Sequence, residues 1–276
     1  MWPDQLDVII AEAHRRGLAA LGEPGFTAYP YAIRAGIDAL PRNDHYQMEL
    51  APALAKLIRA DEPSAGADAY HALCAIAPDS NEVLNYGKQL ATSHTALMPT
   101  LALEATADSL DVSNPWSARS SDLIAPADLD IPVDQKTGAS GFLASVPAER
   151  RGAIVECGWH KEKIDAQLFR LGAKFLAGSS ATSYGVMPGS GLHVELVLLH
   201  RIGLSPREAI AAATTNFAEV YGWNDVGRIE AGRIADLLIL DEDPRLRLSA
   251  LDSIESLILN GTVVDRDRLL DLKTTQ

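Results

Sequence analysis

Apolar and polar positions follow two rhythms along the chain. Up to about residue 222 the dominant spacing is helical, interrupted by short all-apolar runs; beyond it the apolar runs are short and extended. Residues 3–16 set Leu6, Ile9, Ile10 and Ala13 on one helical stripe, and Gly17 stops it. Residues 18–21 form a short apolar strand that ends in Gly22-Glu23-Pro24-Gly25. Thr27 opens a second helix that runs to Arg34 and closes at Gly36, and residues 37–40 form a second strand ending in Pro41-Arg42-Asn43-Asp44. Helix, strand, helix, strand in this order predicts a parallel α/β sheet.

Residues 46–93 carry helical spacing throughout, broken near Pro63 and Pro78. Residues 96–103 predict a third strand, with Pro99 at its C-terminal end because proline cannot donate to a central ladder. Residues 104–145 are rich in Ser, Asp and Pro and read as a long loop, either a lid or a surface excursion. Residues 147–172 predict a helix with Ile164, Leu168 and Leu171 on one face, followed by a fourth strand at 174–177. Ser190 is a candidate cap for the next helix. Ser205-Pro206-Arg207-Glu208 is a capping-box start for another, which runs through Ile210, Ala213, Phe217 and Val220 to Gly222. Then the period changes. Arg228-Ile229, 235–240, 256–259 and 262–264 are β runs, and Asn260-Gly261 predicts a hairpin. The expected organisation is a barrel-type α/β segment over 1–222 and a β-sandwich segment over 223–276.

Composition narrows the partners. A net charge of −13 argues against nucleic acid and anionic membrane surfaces. No apolar run reaches membrane-span length, and the start lacks a basic, then apolar, leader. The two cysteines, Cys74 and Cys157, have no CxxC spacing; they read as incidental thiols, and a reducing, cytoplasmic setting is the expectation.

Five stretches carry a resemblance to a known family. They are Ala177-Gly178-Ser179-Ser180; Pro188-Gly189-Ser190-Gly191-Leu192-His193-Val194-Glu195-Leu196; Gly203-Leu204-Ser205-Pro206-Arg207-Glu208-Ala209; Ala212-Ala213-Thr214-Thr215-Asn216; and Gly227-Arg228-Ile229-Glu230-Ala231-Gly232-Arg233-Ile234-Ala235-Asp236-Leu237. The chain resembles the C-terminal part of the metal-dependent amidohydrolases of the imidazolonepropionase and Xaa-Pro dipeptidase type. More weakly, residues 11–18 and 32–38 resemble the middle of that family. The resemblance implies the C-terminal half of a (β/α)8 barrel, strands equivalent to the fifth to eighth, with a partial β-sandwich. It implies one or two divalent metals at the mouth, held by histidines and an aspartate. At the corresponding positions this chain has Glu23, Arg42 and Ser180, and it contains no His-x-His. Arginine stays protonated and cannot ligate. The expectation is therefore no cofactor, with zinc as the alternative.

Several roles stay open for the residues at these positions. Glu23 is a general base, a lone metal ligand, or the ion-pair partner of Arg42. Arg42 is alternatively a binder of an anionic substrate, and His45 is an acid–base candidate. Ser180 is a nucleophile, a substrate hydrogen-bonding group or filler; no Gly-x-Ser-x-Gly elbow surrounds it. Tyr184 is a pocket-lining candidate. His193 is either a substrate contact or a structural cap, and His71, His94, His160 and His200 have no constellation around them. The resemblance implies hydrolysis of a small-molecule or peptide-like amide (C–N) bond, and the substituted ligand positions add the expectation that it runs without the family's metal centre. The rival is a non-catalytic subunit that binds or completes another chain. Half a barrel leaves open parallel edges, so the expectation is a partner chain supplying the first half, self-association, or a chain that is a fragment.

Overall fold

The computed structural model describes residues 1–51, 55, 72–107, 133–139, 143–144, 146–266 and 268. Helix α1 (Pro3–Arg15) buries Leu6 and Ile10, with Pro3 in its first turn. Helix α2 (Tyr29–Ala35) begins two residues later than expected, with Pro30 in its first turn, and ends at Gly36 with φ 93°. The expected strand at 18–21 is reduced to a single parallel bridge between Leu21 and Ala39. The Asp38 carboxylate takes the Ala20 N–H at 2.6 Å and also binds His14 Nε2 at 2.8 Å. A side chain thus replaces a ladder partner there.

Strand β1 (Ala39–Pro41) leads into the one-turn helix α3 (Asn43–Tyr46) and a 3-10 turn at Gln47–Leu50. Helix α4 (Asn81–Ala91) is capped by Ser80. Strand β2 is only Ala96–Met98, because Pro99 ends the ladder and helix α5 (Leu101–Ala107) follows at once; residues 101–103 are helical, not extended. Helix α6 (Ala148–Arg170) precedes strand β3 (Lys174–Phe175). The long loop expected from 104 onward falls mostly outside the described residues.

The three strands form one parallel sheet in the order β1-β2-β3, with Ala39 opposite Ala96 and Leu97 opposite Phe175. Leu40, Leu97 and Phe175 point toward the helices and join Leu6, Ile10, Ile33, Leu90, Ile164 and Leu168 in the main core. Ala39, Ala96 and Leu176 face the other way and are covered by Phe217, Val220 and Tyr221.

Helix α7 (Ser190–Arg201) is capped by Gly189 rather than Ser190, which is already helical and buries a hydroxyl with no hydrogen-bond partner among the described residues. The Ser205–Glu208 capping box starts helix α8 (Pro206–Ala212) as expected. The single helix predicted to Gly222 is split, however. Thr214 leaves helical geometry (φ −135°, ψ −87°) before helix α9 (Thr215–Tyr221), and its hydroxyl donates back to the Ile210 carbonyl at 2.8 Å.

The C-terminal β run is an antiparallel sheet of β4 (Leu237–Leu240), β5 (Ile254–Leu259) and β6 (Thr262–Val264). Asn260 and Gly261 both have positive φ, as a two-residue primed hairpin requires. The Asp236 carboxylate accepts the Asn260 N–H at 2.7 Å, so the Ala-Asp-Leu motif holds that turn. Arg228-Ile229 forms no strand, and Ile229 is 87% exposed.

The cysteine expectation is corrected. Cys74 and Cys157 form a disulfide across 83 residues of sequence. No spacing motif marks such a pair; packing of the segment before α4 on α6 brings it together.

Candidate active site

The C-terminal ends of the parallel strands share a backbone feature. Arg42 follows β1 at φ 62°, Thr100 follows β2 at φ 55°, and Ser180 follows β3 at φ 55°. Non-glycine residues in this region cost on the order of 1–3 kcal/mol and persist where surrounding structure imposes them. At Arg42 the imposing contacts are visible. Its N–H donates to the Met98 carbonyl at 2.8 Å, and the Asn43 N–H donates to the Pro99 carbonyl at 3.1 Å. The turn after β1 is thereby stitched to the end of β2. On the other side of β2, Gly178 leaves room for the Met98 side chain, whose sulfur a Cβ at that position would meet.

Four charged or ionisable side chains meet at the first of these turns. His45 Nδ1 lies 2.9 Å from Glu23 Oε2, and Arg42 Nε lies 3.7 Å from Glu23 Oε1. Asp44 Oδ2 lies 3.5 Å from Arg42 Nη2 and 3.7 Å from His45 Nε2. All four side chains are partly open to solvent. Tyr29 lies beneath them, its hydroxyl pushed upward by burial and by the charges of Glu23 and Asp44, so it stays protonated.

The turn rests on a buried carboxylate. Asp165, on α6, accepts hydrogen bonds from Tyr46 Oη at 2.7 Å, Gln47 Nε2 at 2.9 Å and Asn43 Nδ2 at 3.0 Å. Gln47 also donates to the Lys161 carbonyl at 3.0 Å, and Lys161 Nζ pairs with Glu104 of α5. Glu195, on α7, does for the second turn what Asp165 does for the first: its carboxylate accepts the Ala102 N–H at 2.7 Å, at the start of α5. Burial raises Asp165 to about 7, although its three hydrogen bonds pull it down, and raises Glu195 to about 8.

The other singled-out residues lie apart from this cluster. Ser180 sits in the turn after β3, and its hydroxyl makes no hydrogen bond among the described residues; its carbonyl accepts the Ser183 N–H at 3.1 Å. Tyr184, at φ 49°, is 37% exposed on the same loop. His193 is turned toward the segment before β5, with Nδ1 3.5 Å from Asp252. Sequence reasoning overlooked Asn43, Tyr46, Gln47, Glu104, Lys161, Asp165 and Glu195. The available signal was charge on an apolar stripe: Lys161 and Asp165 follow Cys157 at four-residue steps, alongside Ile164 and Leu168.

A divalent ion does not fit these residues in the arrangement the family resemblance implies. The Arg42 guanidinium stands among Glu23, Asp44 and His45, offers no lone pair, and repels a cation. Among the described residues no group of three or more His, Cys, Asp or Glu side chains is placed to hold a metal ion.

A raised carboxyl pKa has a definite sign in stability. Between the unfolded value of about 4 and the native value, the folded chain holds a proton that the unfolded chain has lost. The contribution of Asp165 and Glu195 is therefore fully present below about pH 4 and declines as pH rises toward 7 to 8. The urea midpoint is expected to fall from about pH 5 to about pH 8, and Glu195→Gln to flatten that fall. Asp165→Ala, which strands three buried donors, is expected to cost about 3 kcal/mol in the same measurement.

Comparison with known proteins agrees with this architecture. Residues 168–264 match the amidohydrolase family. A 42-residue stretch is 57% identical to imidazolonepropionase of Rubrobacter xylanophilus, covering 15% of this chain and 10% of that protein. Among solved structures, bottromycin amidohydrolase superposes with a TM-score of 0.60 at 24% identity, over 95% of this chain and 53% of the other. A Xaa-Pro dipeptidase with bound methionine gives 0.54 at 17% identity, over 96% and 49%. The ochratoxinase of A. niger gives 0.54 at 18%, over 95% and 45%. The chain spans about half the length of these structures, and at such identities they show the fold. Among the described residues no helix is long and apolar enough to cross a membrane. Residues 168–264 are thus similar in sequence to the amidohydrolase family, and the fold of the described residues is similar to about half of each of these solved structures.

Proposed function

We propose that this chain forms the working mouth of a hydrolase for an amide (C–N) bond in a small-molecule or peptide-like substrate, run by side chains instead of a divalent ion. The observation that carries the reading is the 2.9 Å contact of His45 with Glu23, beside Arg42, at the C-terminal end of a parallel sheet. That end is where α/β folds of this kind place their chemistry. The names of the similar proteins, an amidohydrolase and a dipeptidase among them, support the bond type.

With Nδ1 protonated and facing Glu23, His45 presents a basic Nε2. It takes a proton from water as the water oxygen bonds to the amide carbon. Glu23 and Asp44 stabilise the imidazolium that results. Arg42 offers its guanidinium to the oxygen that gains charge, or to a substrate carboxylate. The proton then passes from His45 to the leaving nitrogen as the C–N bond breaks. Ser180 and Tyr184 are assigned to substrate contact, and His193, held beside Asp252, has no step. The test is amine release from a panel of N-acyl amino acids and Xaa-Pro dipeptides. Turnover by the wild type is expected, with His45→Ala and Glu23→Gln lowering kcat/KM by about 10²–10⁴ while the circular dichroism spectrum is unchanged. Turnover unaffected by both variants, or no turnover at all, would reject the reading.

A second reading is a subunit that binds or completes another chain. It is favoured by the outer side of the β1 edge, where Val8, Ile9, Leu18 and Leu21 are all more than 40% exposed. In sedimentation equilibrium at micromolar concentration this reading predicts species heavier than the 29.6 kDa chain. A clean monomer would count against self-pairing.

A further inference from the structure

The disulfide sits where it acts on the candidate site without belonging to it. Cys157 is fully buried on α6, and Lys161 and Asp165 follow it at four-residue steps along the same buried stripe. Cys74, half-buried, ends the turn that leads toward α4. The bond therefore ties that segment to the helix whose Asp165 holds residues 43–47. His160 adds a second tie, its Nε2 lying 2.6 Å from the Ile76 carbonyl oxygen. A cleft of about 280 Å³ opens beside the bond, lined by both cysteines with Glu156, His160 and Lys163. A sulfur at the wall of a polar cleft with an ammonium group nearby is open to thiol exchange, in contrast to one sealed in an apolar core.

We propose that Cys74 and Cys157 are a reversible thiol–disulfide couple, reached through this cleft by a low-molecular-weight disulfide such as oxidised glutathione, and that its state sets how firmly α6 holds the turn at residues 43–47. In the oxidising direction the Cys74 thiolate attacks one sulfur of the small disulfide and expels one small thiolate. The Cys157 thiolate then attacks the Cys74 sulfur of the mixed disulfide and expels the second. Two protein thiols lose two protons and two electrons in total, and the small disulfide takes up both as two thiols. Reduction by two small thiols reverses each step. Cys74, the less buried of the two residues, is the point of entry.

The test uses the full chain equilibrated in mixtures of oxidised and reduced glutathione, then denatured, alkylated and weighed intact. The two cysteines are expected to alkylate together or not at all. Cys157→Ser is expected to acquire one glutathionyl group at Cys74, with Cys74→Ser reacting about tenfold slower or less. Reduction is expected to lower the melting temperature by about 5–10 °C. It is also expected to speed amide exchange in residues 43–50 by about tenfold. Two free thiols that alkylate independently in the native wild type would overturn the proposal, a result that does not depend on either variant folding. So would a Cys157→Ser chain that takes no adduct, or exchange at 43–50 indifferent to reduction.

Discussion

A buried carboxylate holding a strand-to-helix turn is the constraint on which the rest of the mouth depends. Asp165 is fully buried and accepts hydrogen bonds from three donors of residues 43–47. Each of those donors is itself buried, so each would be stranded if the turn moved. That mutual dependence keeps Arg42 at a positive φ and sets Asp44 and His45 facing Glu23 across the gap between adjacent strand ends. Glu195 repeats the device at the next turn, capping the start of α5 from a distant helix. Two inward-facing carboxylates on the outer helices thus shape the end of the sheet where ligands bind in folds of this type.

The layered order of the fold was legible in the chain because short apolar runs bounded by glycine and proline are strong punctuation. β2 and β3 fall within the expected runs, β1 overlaps its run and extends one residue past it, and Asn260-Gly261 turns where its residues demand. What was not legible depended on side chains acting out of type. Asp38 replaces a ladder partner and dissolves the strand expected at 18–21. Thr214 bonds back to Ile210 and splits a helix whose apolar stripe runs on without interruption. Pro99 was placed at a strand end, but the helix starting two residues later depends on Glu195, 93 residues downstream.

The candidate site divides in the same way. The approach of Glu23 to Arg42 follows from two strand ends lying side by side, which alternation alone suggests. The addition of His45 follows from its place one turn beyond Arg42. Asp165 and Lys161 gave no local sign beyond charge on an apolar face, because their partners lie 57 to 122 residues away. The disulfide is of the same kind: two cysteines without a motif, joined by the packing of one element on another.

The cluster at the mouth is held together by charge of both signs around a guanidinium. A centre of that kind favours an anionic or polar ligand and disfavours a second cation. In the proposed mechanism Arg42 supplies the positive charge that a metal ion would otherwise bring to the mouth. Calorimetric titration of zinc into this chain after chelation and exhaustive dialysis tests that directly. No stoichiometric uptake at micromolar zinc is expected, in the wild type or in His45→Ala. Uptake of one equivalent or more by the wild type, lost in His45→Ala and Glu23→Gln, would contradict it.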